Sequence, residues 1–491
     1  MSDARETASE PRRLKLVRMR ERGVDPYPRS YRRTHTAQEA VSLFEEAETK
    51  GVLPLPEVSL AGRVRGRRDM GKLTFLDVRD SSGKVQFFLS AKNLPAEAVL
   101  LLQDLDIGDH IGARGHMFRT RAGEVSLEAK DLALLSKSLH PLPEKWHGLT
   151  DTELRYRQRY LDLIANQEVK AAFEKRSRIV AAVRSFLDSR GFLEVETPML
   201  QASAGGAMAR PFQTYHNALD RHLYLRIATE LHLKRLIIGG YDRVYEIGRI
   251  FRNEGIDFKH NPEFTTLESY EAYADYQDVM AMVEEMYAFA AKEVVGSTRI
   301  TYNGNDIELR PPWRRVTLRE AILEQSGIDF QEYRDADALR AAVAALGIDV
   351  SQAPGRGKLI DRLLSETVEP KLIQPTFLLD YPVELSPLAK TKPGDPSLVE
   401  RFEGFIGGME VCNAFTELND PIEQRERFED QLRQRQAGDE EADLPDEDFL
   451  RAMEYGMPPT GGLGVGIDRM AMLLTGQTSI RDVILFPQQR T

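Results

Sequence analysis

Cysteine is almost absent from this chain, since Cys412 is the only one among its 491 residues. A single thiol excludes an internal disulfide and a zinc site built from several cysteines, and it fits a reducing cytoplasm. Long apolar runs are also absent, because none approaches the roughly 18 residues that a membrane-spanning helix requires. The polar first residues lack the apolar core of a secretory signal. We therefore expect a cytoplasmic protein with no membrane partner.

An excess of basic charge is lacking as well. The net charge of −11 argues against a surface coated with Lys and Arg, so any contact with nucleic acid must use a local patch. No G-x-x-x-x-G-K-[ST] loop and no H-E-x-x-H motif is present, which excludes the usual P-loop NTPases and the HExxH metalloproteases. The composition, with 42% hydrophobic and 29% charged residues, is typical of a globular protein, and the length suggests two to four domains.

The first third of the chain divides into three segments. Residues 1–54 form a basic extension in which Pro11–Arg22 predicts a helix. That helix is either an ordinary solvated terminal helix or a contact for phosphates. Residues 55–140 alternate short β-rich runs with glycine-containing turns, and five such strands predict a small β-barrel. The proline-bearing residues 141–155 are interpreted as a linker.

The remaining residues, 156–491, alternate long helical patterns with strands and predict a larger α+β domain. Lys170–Arg190 has helical periodicity, with Gly191 as its stop. Residues 315–373 are mostly helical in pattern and indicate an insertion. The acidic run Asp439–Asp448 predicts a solvated surface loop.

Residues 244–273 predict two strands joined by a loop that contains His260. On the first strand, period-two alternation would place Arg252 and Glu254 on one face. On the second strand the same rule groups Phe264, Thr266, Glu268 and Tyr270. An arginine fork suits a phosphate, and a phenylalanine ring can stack on a base. The alternative is an ordinary sheet with scattered surface ion pairs.

Residues 400–418 predict a β-hairpin that turns at Gly407–Gly408. This turn places Glu403 and Glu410 on one face, and two carboxylates are a reasonable site for Mg²⁺. A second same-face set comprises Asn413, Phe415 and Glu417. Strict alternation puts this set on the opposite face from Glu410, so both sets line one pocket only if a β-bulge intervenes. The alternative is a pair of exposed carboxylates.

Residues 456–486 predict a glycine-dense strand that leads into an apolar helix. Glycine allows a ligand or another backbone to approach closely. Arg469 would project from the start of the helix, either toward a ligand or into an ion pair with Asp468 or Asp482.

Together these segments resemble the class II aminoacyl-tRNA synthetases, and within them the bacterial-type lysyl-tRNA synthetases. Three family motifs are matched in order: motif 1 by GFLEVETPML (191–200), motif 2 by FRNEG and HNPEFT within 244–273, and motif 3 by GGLGVGIDR within 461–475. The resemblance covers about residues 10–491. It implies an N-terminal OB-fold barrel that binds the anticodon and a catalytic domain built on an antiparallel β-sheet flanked by helices.

The resemblance also implies a reaction and its residues. L-Lysine would be activated with ATP and Mg²⁺ to lysyl-adenylate and transferred to tRNA(Lys) by a homodimer with Pro198 at its interface. Arg252 and Arg469 would be catalytic. The other implied roles are ATP binding by Arg252, Glu254, His260, Phe264 and Arg469, lysine binding by Gly206, Glu230, Glu268, Tyr270, Asn413, Phe415 and Glu417, metal binding by Glu403 and Glu410, and anticodon binding by Phe75 and Gln86.

Three other functions are weighed against this interpretation. Relatives that attach lysine to a protein lack the N-terminal barrel, which this chain has. A non-catalytic RNA-binding paralogue usually loses residues of motif 2 or motif 3, whereas Arg252 and Arg469 are present. An aspartate or asparagine enzyme shares the architecture, but it would not be expected to carry Glu230, Glu268 and Glu417 together.

Overall fold

The structure is a computed structural model that describes residues 2–143, 149–203, 205–207, 209–351, 353, 355–436 and 445–489. The chain divides into two units, Met1–Thr150 and Asp151–Thr491. Part of the predicted linker, residues 144–148, and most of the predicted acidic loop, residues 439–444, lie outside the described residues.

The strands of the first unit form one closed sheet. They are β1 (Val58–Met70), β2 (Leu73–Arg79), β3 (Lys84–Ser90), β4 (His110–Arg119), β5 (Val125–Ala129) and β6 (Ala133–Ser136). The order β1-β2-β3-β5-β4-β6 is closed by pairing between β1 and β4. Buried residues alternate with less buried ones along β1 and β2, so every second side chain enters the barrel core. The predicted barrel is confirmed, although its fifth predicted strand is two strands, β5 and β6.

Three helices accompany the barrel: α1 (Ser2–Glu21), α2 (Ala37–Lys50) and α3 (Ala96–Asp104). Helix α1 begins well before the predicted start at Pro11. Its Lys15 and Arg18 form ion pairs of 2.7 Å with Asp106 and Asp104, so these basic side chains are engaged within their own unit.

The second unit is built on a large, mainly antiparallel sheet. In chain order its strands are β7 (Leu193–Glu194), β8 (Leu200–Gln201), β9 (Gln213–His216), β10 (Arg221–Leu225), β11 (Arg243–Phe251), β12 (Glu263–Ala272), β13 (Arg299–Tyr302), β14 (Asn305–Glu308), β15 (Arg314–Thr317), β16 (Thr376–Pro382), β17 (Thr391–Lys392), β18 (Asp395–Ile406), β19 (Met409–Thr416) and β20 (Thr460–Gly466). The main sheet has the order β15-β16-β18-β19-β20-β12-β11-β7, in which only the outer pairs β15–β16 and β11–β7 are parallel among the described strands.

Helices flank this sheet. They are α4 (Thr152–Arg157), α5 (Arg159–Ala165), α6 (Gln167–Ser189), α7 (Glu230–Ile238), α8 (Tyr276–Val295), α9 (Leu318–Ser326), α10 (Ala336–Ala345), α11 (Arg356–Leu363), α12 (Pro421–Gln436), α13 (Glu447–Glu454), α14 (Ile467–Thr475) and α15 (Ile480–Val483). Helix α4 begins inside the predicted linker. Helix α6 ends as predicted, with Gly191 at a φ of 79° just beyond it. The predicted helical segment 315–373 opens with strand β15, since its first residues pair with β16.

Side-chain alternation gives the central strands two different faces. Leu267 on β12, Ala414 on β19 and Leu463 on β20 belong to the core that α6, α8 and α14 cover. The alternate residues, such as Glu268 and Asn413, point to the opposite face and line a cavity. The strands therefore hold polar groups rigidly above an apolar core.

Cys412 lies in the core beneath this face. It is 2% exposed, and a Cβ added to Gly404 on the neighbouring strand would meet its Sγ at 2.5 Å. Burial raises the pKa of the Cys412 thiol far above its usual range.

Among the described residues, no helix combines the length and the apolar composition needed to cross a membrane.

Candidate functional site

The open face of the main sheet borders a cavity of about 570 Å³, a size typical of small-molecule sites. Its lining brings together every cavity residue predicted from the sequence. These are Gly206, Glu230, Arg252, Glu254, His260, Phe264, Glu268, Tyr270, Glu403, Glu410, Asn413, Phe415, Glu417 and Arg469. They come from distant parts of the chain, and the antiparallel pairing of β12, β19 and β20 places them side by side.

Arg252 lines the cavity from a loop, whereas the sequence predicted that it would lie on a strand. Strand β11 ends at Phe251, so Arg252 and Glu254 lie in a loop and do not share a strand face. The Arg252 amide donates to the Pro262 carbonyl at 2.9 Å, where the chain leaves the sheet. The strand alternation used to pair the two residues was therefore wrong, yet both still line the cavity.

The guanidinium of Arg252 lies over an aromatic ring. Its Cζ is 5.3 Å from the centroid of the half-buried Phe264 ring, within the range of a cation–π contact. Its Nε donates to the Ile227 carbonyl at a long 3.4 Å. The Arg252 guanidinium group is thus close enough to bind an anion in the cavity.

Arg469 projects from the first turn of α14, as predicted, but its partners are not the acids expected for an ion pair. Its Nη1 donates to Glu410 Oε2 at 2.9 Å, and its Nη2 is 3.3 Å from His260 Nε2. Asp468 instead pairs with Arg176 at 2.7 Å. Asp482 accepts from the Tyr156 hydroxyl at 3.1 Å. Arg469 therefore crosses the cavity rather than capping its own helix.

The hairpin of β18 and β19 has the predicted register. Ile406 faces Met409, and Phe405 faces Glu410 across the Gly407–Gly408 turn. The register then shifts by one residue, because Gly404 faces Cys412 and leaves Val411 without an opposite residue. This is the β-bulge that had to intervene if Glu410 and Asn413 were to line one pocket.

Glu403 and Glu410 approach the cavity with different environments. Glu403 accepts hydrogen bonds from Tyr381 Oη at 2.8 Å and Arg401 Nη2 at 2.6 Å. Burial, and then the nearby charge of Glu410, raise the pKa of Glu403 to about 7 against the opposing effect of Arg401. Among the described residues, no group of three or more His, Cys, Asp or Glu side chains is placed to hold a metal. Two carboxylates nevertheless fit Mg²⁺, which takes its other ligands from phosphates and water.

Three further carboxylates converge at the inner end of the cavity. Glu230 lies on α7, Glu268 on β12 and Glu417 directly after β19, and each is less than 10% exposed. Burial is the main cause that raises the pKa of Glu268 to about 7, and the Glu230 charge adds to it. Burial and these same acids raise the pKa of Tyr270 well above its usual value. Such a set of acceptors suits a cationic ligand.

Two glycines allow this arrangement. Gly462 faces Tyr270 on β12, and a Cβ there would lie 1.8 Å from Glu417 Oε1 and 2.7 Å from the Tyr270 ring. Gly206 has a φ of 90°, and a Cβ there would press on Ala228 and Glu230 at 3.2 Å.

Sequence reasoning missed several cavity residues. The charged ones are Lys358, Asp361 and Arg401, and the polar ones are Asn261, Thr265, Tyr381 and Ser386. Lys234, which is not part of the lining, was also missed and forms ion pairs with two of the lining acids. Lys358 and Asp361 belong to helix α11 of the predicted insertion, and no motif marked them.

The barrel carries an aromatic surface of its own. Phe75 is half-buried and stacks at 5.3 Å on Phe88, which contacts Phe118 at 5.5 Å. Gln86 is 2% exposed, donates to Glu124 at 2.8 Å and accepts from Ser126 at 3.0 Å. Phe75 is therefore not a core residue, although its apolar character alone would favour a place in the core. A group of half-buried rings at the surface of a barrel can stack on bases.

Pro198 lies in an exposed apolar segment of the second unit. Its neighbours Met199 and Leu200 are each 48% exposed, and Leu193 is 47% exposed.

This fold and site agree with the comparisons to known proteins. Residues 151–490 match the family described as tRNA synthetases class II (D, K and N), and residues 58–135 match the family described as OB-fold nucleic acid binding domain. The chain therefore belongs to the class II tRNA synthetases. Within that class its similar relatives are lysine--tRNA ligases. One from Dehalococcoides mccartyi is 56% identical over 96% of this chain and 95% of its own length.

Two other relatives give the same result. A lysine--tRNA ligase of Moorella thermoacetica is 56% identical over 97% of this chain and 96% of its own length. One from Clostridium perfringens is 53% identical over 98% of this chain and 95% of its own length. At this identity and coverage, the predicted family is confirmed.

Proposed function

We propose that the chain activates L-lysine with ATP to lysyl-adenylate and then transfers lysine to the 3′ end of tRNA(Lys). It is an ATP-dependent ligase of translation. The observation that carries the lysine assignment is the group of three buried carboxylates at one end of a cavity whose other part presents two arginines. Free lysine carries two ammonium groups, which suit the carboxylates, and ATP carries phosphates, which suit the arginines.

The first step needs no enzyme nucleophile, because the lysine carboxylate itself attacks the α-phosphorus and pyrophosphate leaves. Arg252 binds the α-phosphate and stabilises the charge that develops on it. Arg469 binds the γ-phosphate end, and the adenine lies between Arg469 and Phe264. Glu254 and His260 belong to the loop that encloses ATP. Positioning and charge stabilisation supply the rate.

Glu403 and Glu410 would hold Mg²⁺. When bound, this ion neutralises phosphate charge and orients the leaving group. Before ATP arrives, Arg401 and Arg469 balance the two carboxylates through ion pairs of 2.6 and 2.9 Å.

Lysine lies along the cavity floor. Glu230 receives its α-ammonium group beside Gly206, and Glu268, Tyr270 and Glu417 surround its ε-ammonium group. Asn413 and Phe415 complete this pocket, with the Asn413 side-chain oxygen held by Arg401 at 2.9 Å.

Lysine binding should strengthen as the pH rises from 6 to 8. Glu268, whose pKa is raised to about 7, must be ionised to hold the substrate ammonium. Below pH 7 it is mostly protonated and above pH 7 mostly charged, while the substrate side chain stays charged throughout. We expect the KM for lysine to fall about tenfold over this interval, because one titrating group changes its ionised fraction by that factor. Steady-state exchange at each pH measures it, and a flat KM would contradict the role of Glu268.

The barrel binds the anticodon through Phe75 and Gln86. Replacing Phe75 with alanine should raise the KM for tRNA about 10- to 100-fold, because stacking on one base contributes roughly 1–3 kcal/mol. Lysine-dependent ATP–pyrophosphate exchange, which needs no tRNA, should not change. The exposed Met70→Ala is the matched control on the same barrel, since Met70 is 66% exposed. Equal losses in both assays for Phe75→Ala would contradict the assignment.

The active form is a homodimer in the cytoplasm. The exposed side chains of Leu193, Pro198, Met199 and Leu200 support an interface with a second copy, because exposed apolar surface commonly marks a contact. The single cysteine supports a reducing compartment.

The test of the function is ATP–pyrophosphate exchange with purified protein, Mg²⁺ and each of the twenty amino acids, without tRNA. Exchange that depends on lysine alone is expected. Exchange with aspartate or asparagine would overturn the substrate, and no exchange from folded protein would overturn the activity.

A further inference from the structure

A lysine of the chain itself lies behind the proposed substrate pocket. Lys234 follows Glu230 by one turn of α7, and its side chain is 0% exposed. Its Nζ donates to Glu230 Oε1 at 2.5 Å and forms an ion pair with Glu417. The rings of Phe415 and Phe449 lie 5.6 and 6.0 Å from Nζ. A fixed ammonium group that is not part of the cavity lining thus contacts two of the three pocket acids.

Glu417 has two oxygens in different situations. Its Oε2 is the atom that pairs with Lys234. Both oxygens are buried, and neither has a hydrogen-bond partner among the described residues, but of the two only Oε2 has this ion pair with Lys234. Oε1 lies against Gly462, where an added Cβ would be 1.8 Å away. Gly462 and Glu417 both line the cavity. One oxygen of Glu417 is therefore held by the protein, and the other is left for a ligand.

The charges around Glu417 explain why a cation is needed there. Glu230 and Glu268 face it, the Tyr270 hydroxyl lies beside Glu268, and Arg252 acts on Glu268 from the loop. Burial raises the pKa of Glu417 well above its usual value, and the Lys234 charge opposes that rise. Burial alone would lower the pKa of Lys234, but Glu230 and Glu417 more than offset it and raise the pKa. Without Lys234 the pKa of Glu417 would rise further, so this carboxylate would take up a proton more readily.

We propose that Lys234 is a positioning residue for lysine recognition, which favours the ionised form of Glu417 in the empty pocket and turns one of its oxygens toward the ε-ammonium group of the substrate. The ionisation of Glu417 that the substrate ammonium group requires is then easier than it would be without Lys234. This inference rests on the proposed function and adds to it a residue that does not touch the substrate.

The test is Lys234→Met, which keeps an unbranched apolar stem and removes the charge. The KM for lysine is measured by exchange between pH 7 and 9 and divided by the wild-type KM at the same pH, which cancels the titration of Glu268 and of the substrate. We expect a ratio of about 10–100 at pH 7 that falls toward pH 9, because a rising pH favours the ionised form of Glu417 even when Lys234 is missing. The KM for ATP should stay within about twofold.

Two further variants make the outcome decisive. Lys170→Met removes a surface lysine of α6 that pairs with Glu174 at 3.3 Å, and its ratio should be near one at every pH. Lys234→Arg keeps the charge, so its ratio should not change with pH, and it carries the test if thermal unfolding shows that Lys234→Met does not fold.

A Lys234→Met ratio that is constant with pH, an equal loss for ATP, or a pH-dependent ratio in Lys234→Arg would overturn the inference. Wild-type exchange with lysine is checked first. If that fails, the proposed function fails, whereas normal wild-type exchange with a constant ratio rejects only the role of Lys234.

Discussion

Replacing Arg252 with alanine is expected to lower lysine-dependent ATP–pyrophosphate exchange at least about 10³-fold, the scale on which one charge-stabilising donor at a transferring phosphate acts. The guanidinium lies at the cavity over the Phe264 ring, with its Cζ 5.3 Å from the ring centroid. The hydrogen bond from its Nε to the Ile227 carbonyl is long, at 3.4 Å, and therefore weak. The thermal unfolding midpoint should therefore change little while the activity is lost.

Two other variants test whether the paired hydrogen bonds of the Arg252 guanidinium matter beyond its positive charge. Arg252→Lys should recover little activity, because an ammonium cannot make the two parallel hydrogen bonds of a guanidinium. Arg249→Ala is the matched control: Arg249 lies on β11, three residues earlier, and its contact with Glu263 is a long 3.6 Å pair at the surface. Its exchange rate should stay within about twofold of wild type. Near-normal exchange by Arg252→Ala would remove this residue from the mechanism.

Replacing Gly462 with alanine is expected to raise the KM for lysine at least about 100-fold, which corresponds to roughly 3 kcal/mol of lost binding. The new Cβ would lie 1.8 Å from Glu417 Oε1 and 2.7 Å from the Tyr270 ring. Both groups belong to the proposed ε-ammonium pocket, so at least one must move. Real Cβ atoms do not tolerate such distances, and β20 cannot retreat because it is paired on both sides.

The control for this change is Gly355→Ala. Gly355 precedes α11 with a φ of −116°, and an added Cβ there would meet nothing within 4 Å. Exchange by Gly355→Ala should match wild type. The KM for ATP should be nearly normal in both variants, and an unchanged KM for lysine in Gly462→Ala would mean that Glu417 and Tyr270 do not contact the substrate.

The hairpin of β18 and β19 indicates what local patterns can predict. Period-two alternation and a Gly-Gly turn were enough to set the register of Phe405 against Glu410. The bulge at Val411 could be deduced only as a condition, because alternation alone put Glu410 and Asn413 on opposite faces. Knowledge that both line one cavity had to come from the folded chain.

Other features had no local signal. Strand β11 ends at Phe251 because the following amides find partners outside the sheet: Asn253 donates to the Arg210 carbonyl at 2.7 Å, and Arg210 lies some forty residues earlier in the chain. A Glu–Lys pair at i and i+4, such as Glu230 and Lys234, usually indicates an exposed helix face. Lys234 is buried because Phe415 on β19 and Phe449 on α13 pack near its ammonium group, and both strand and helix are remote from it in sequence.

The buried thiol of Cys412 has a practical consequence for labelling. As the only cysteine of the chain, it lies at 2% exposure against Gly404, and burial keeps its pKa far above the usual range. Thiol reagents act on the exposed thiolate, so the folded protein should be inert to them. A cysteine introduced at an exposed position, such as Met70 on the barrel, would then accept a single fluorophore without removal of the native thiol. Slow reaction of the unaltered chain would instead report opening of the β18–β19 hairpin.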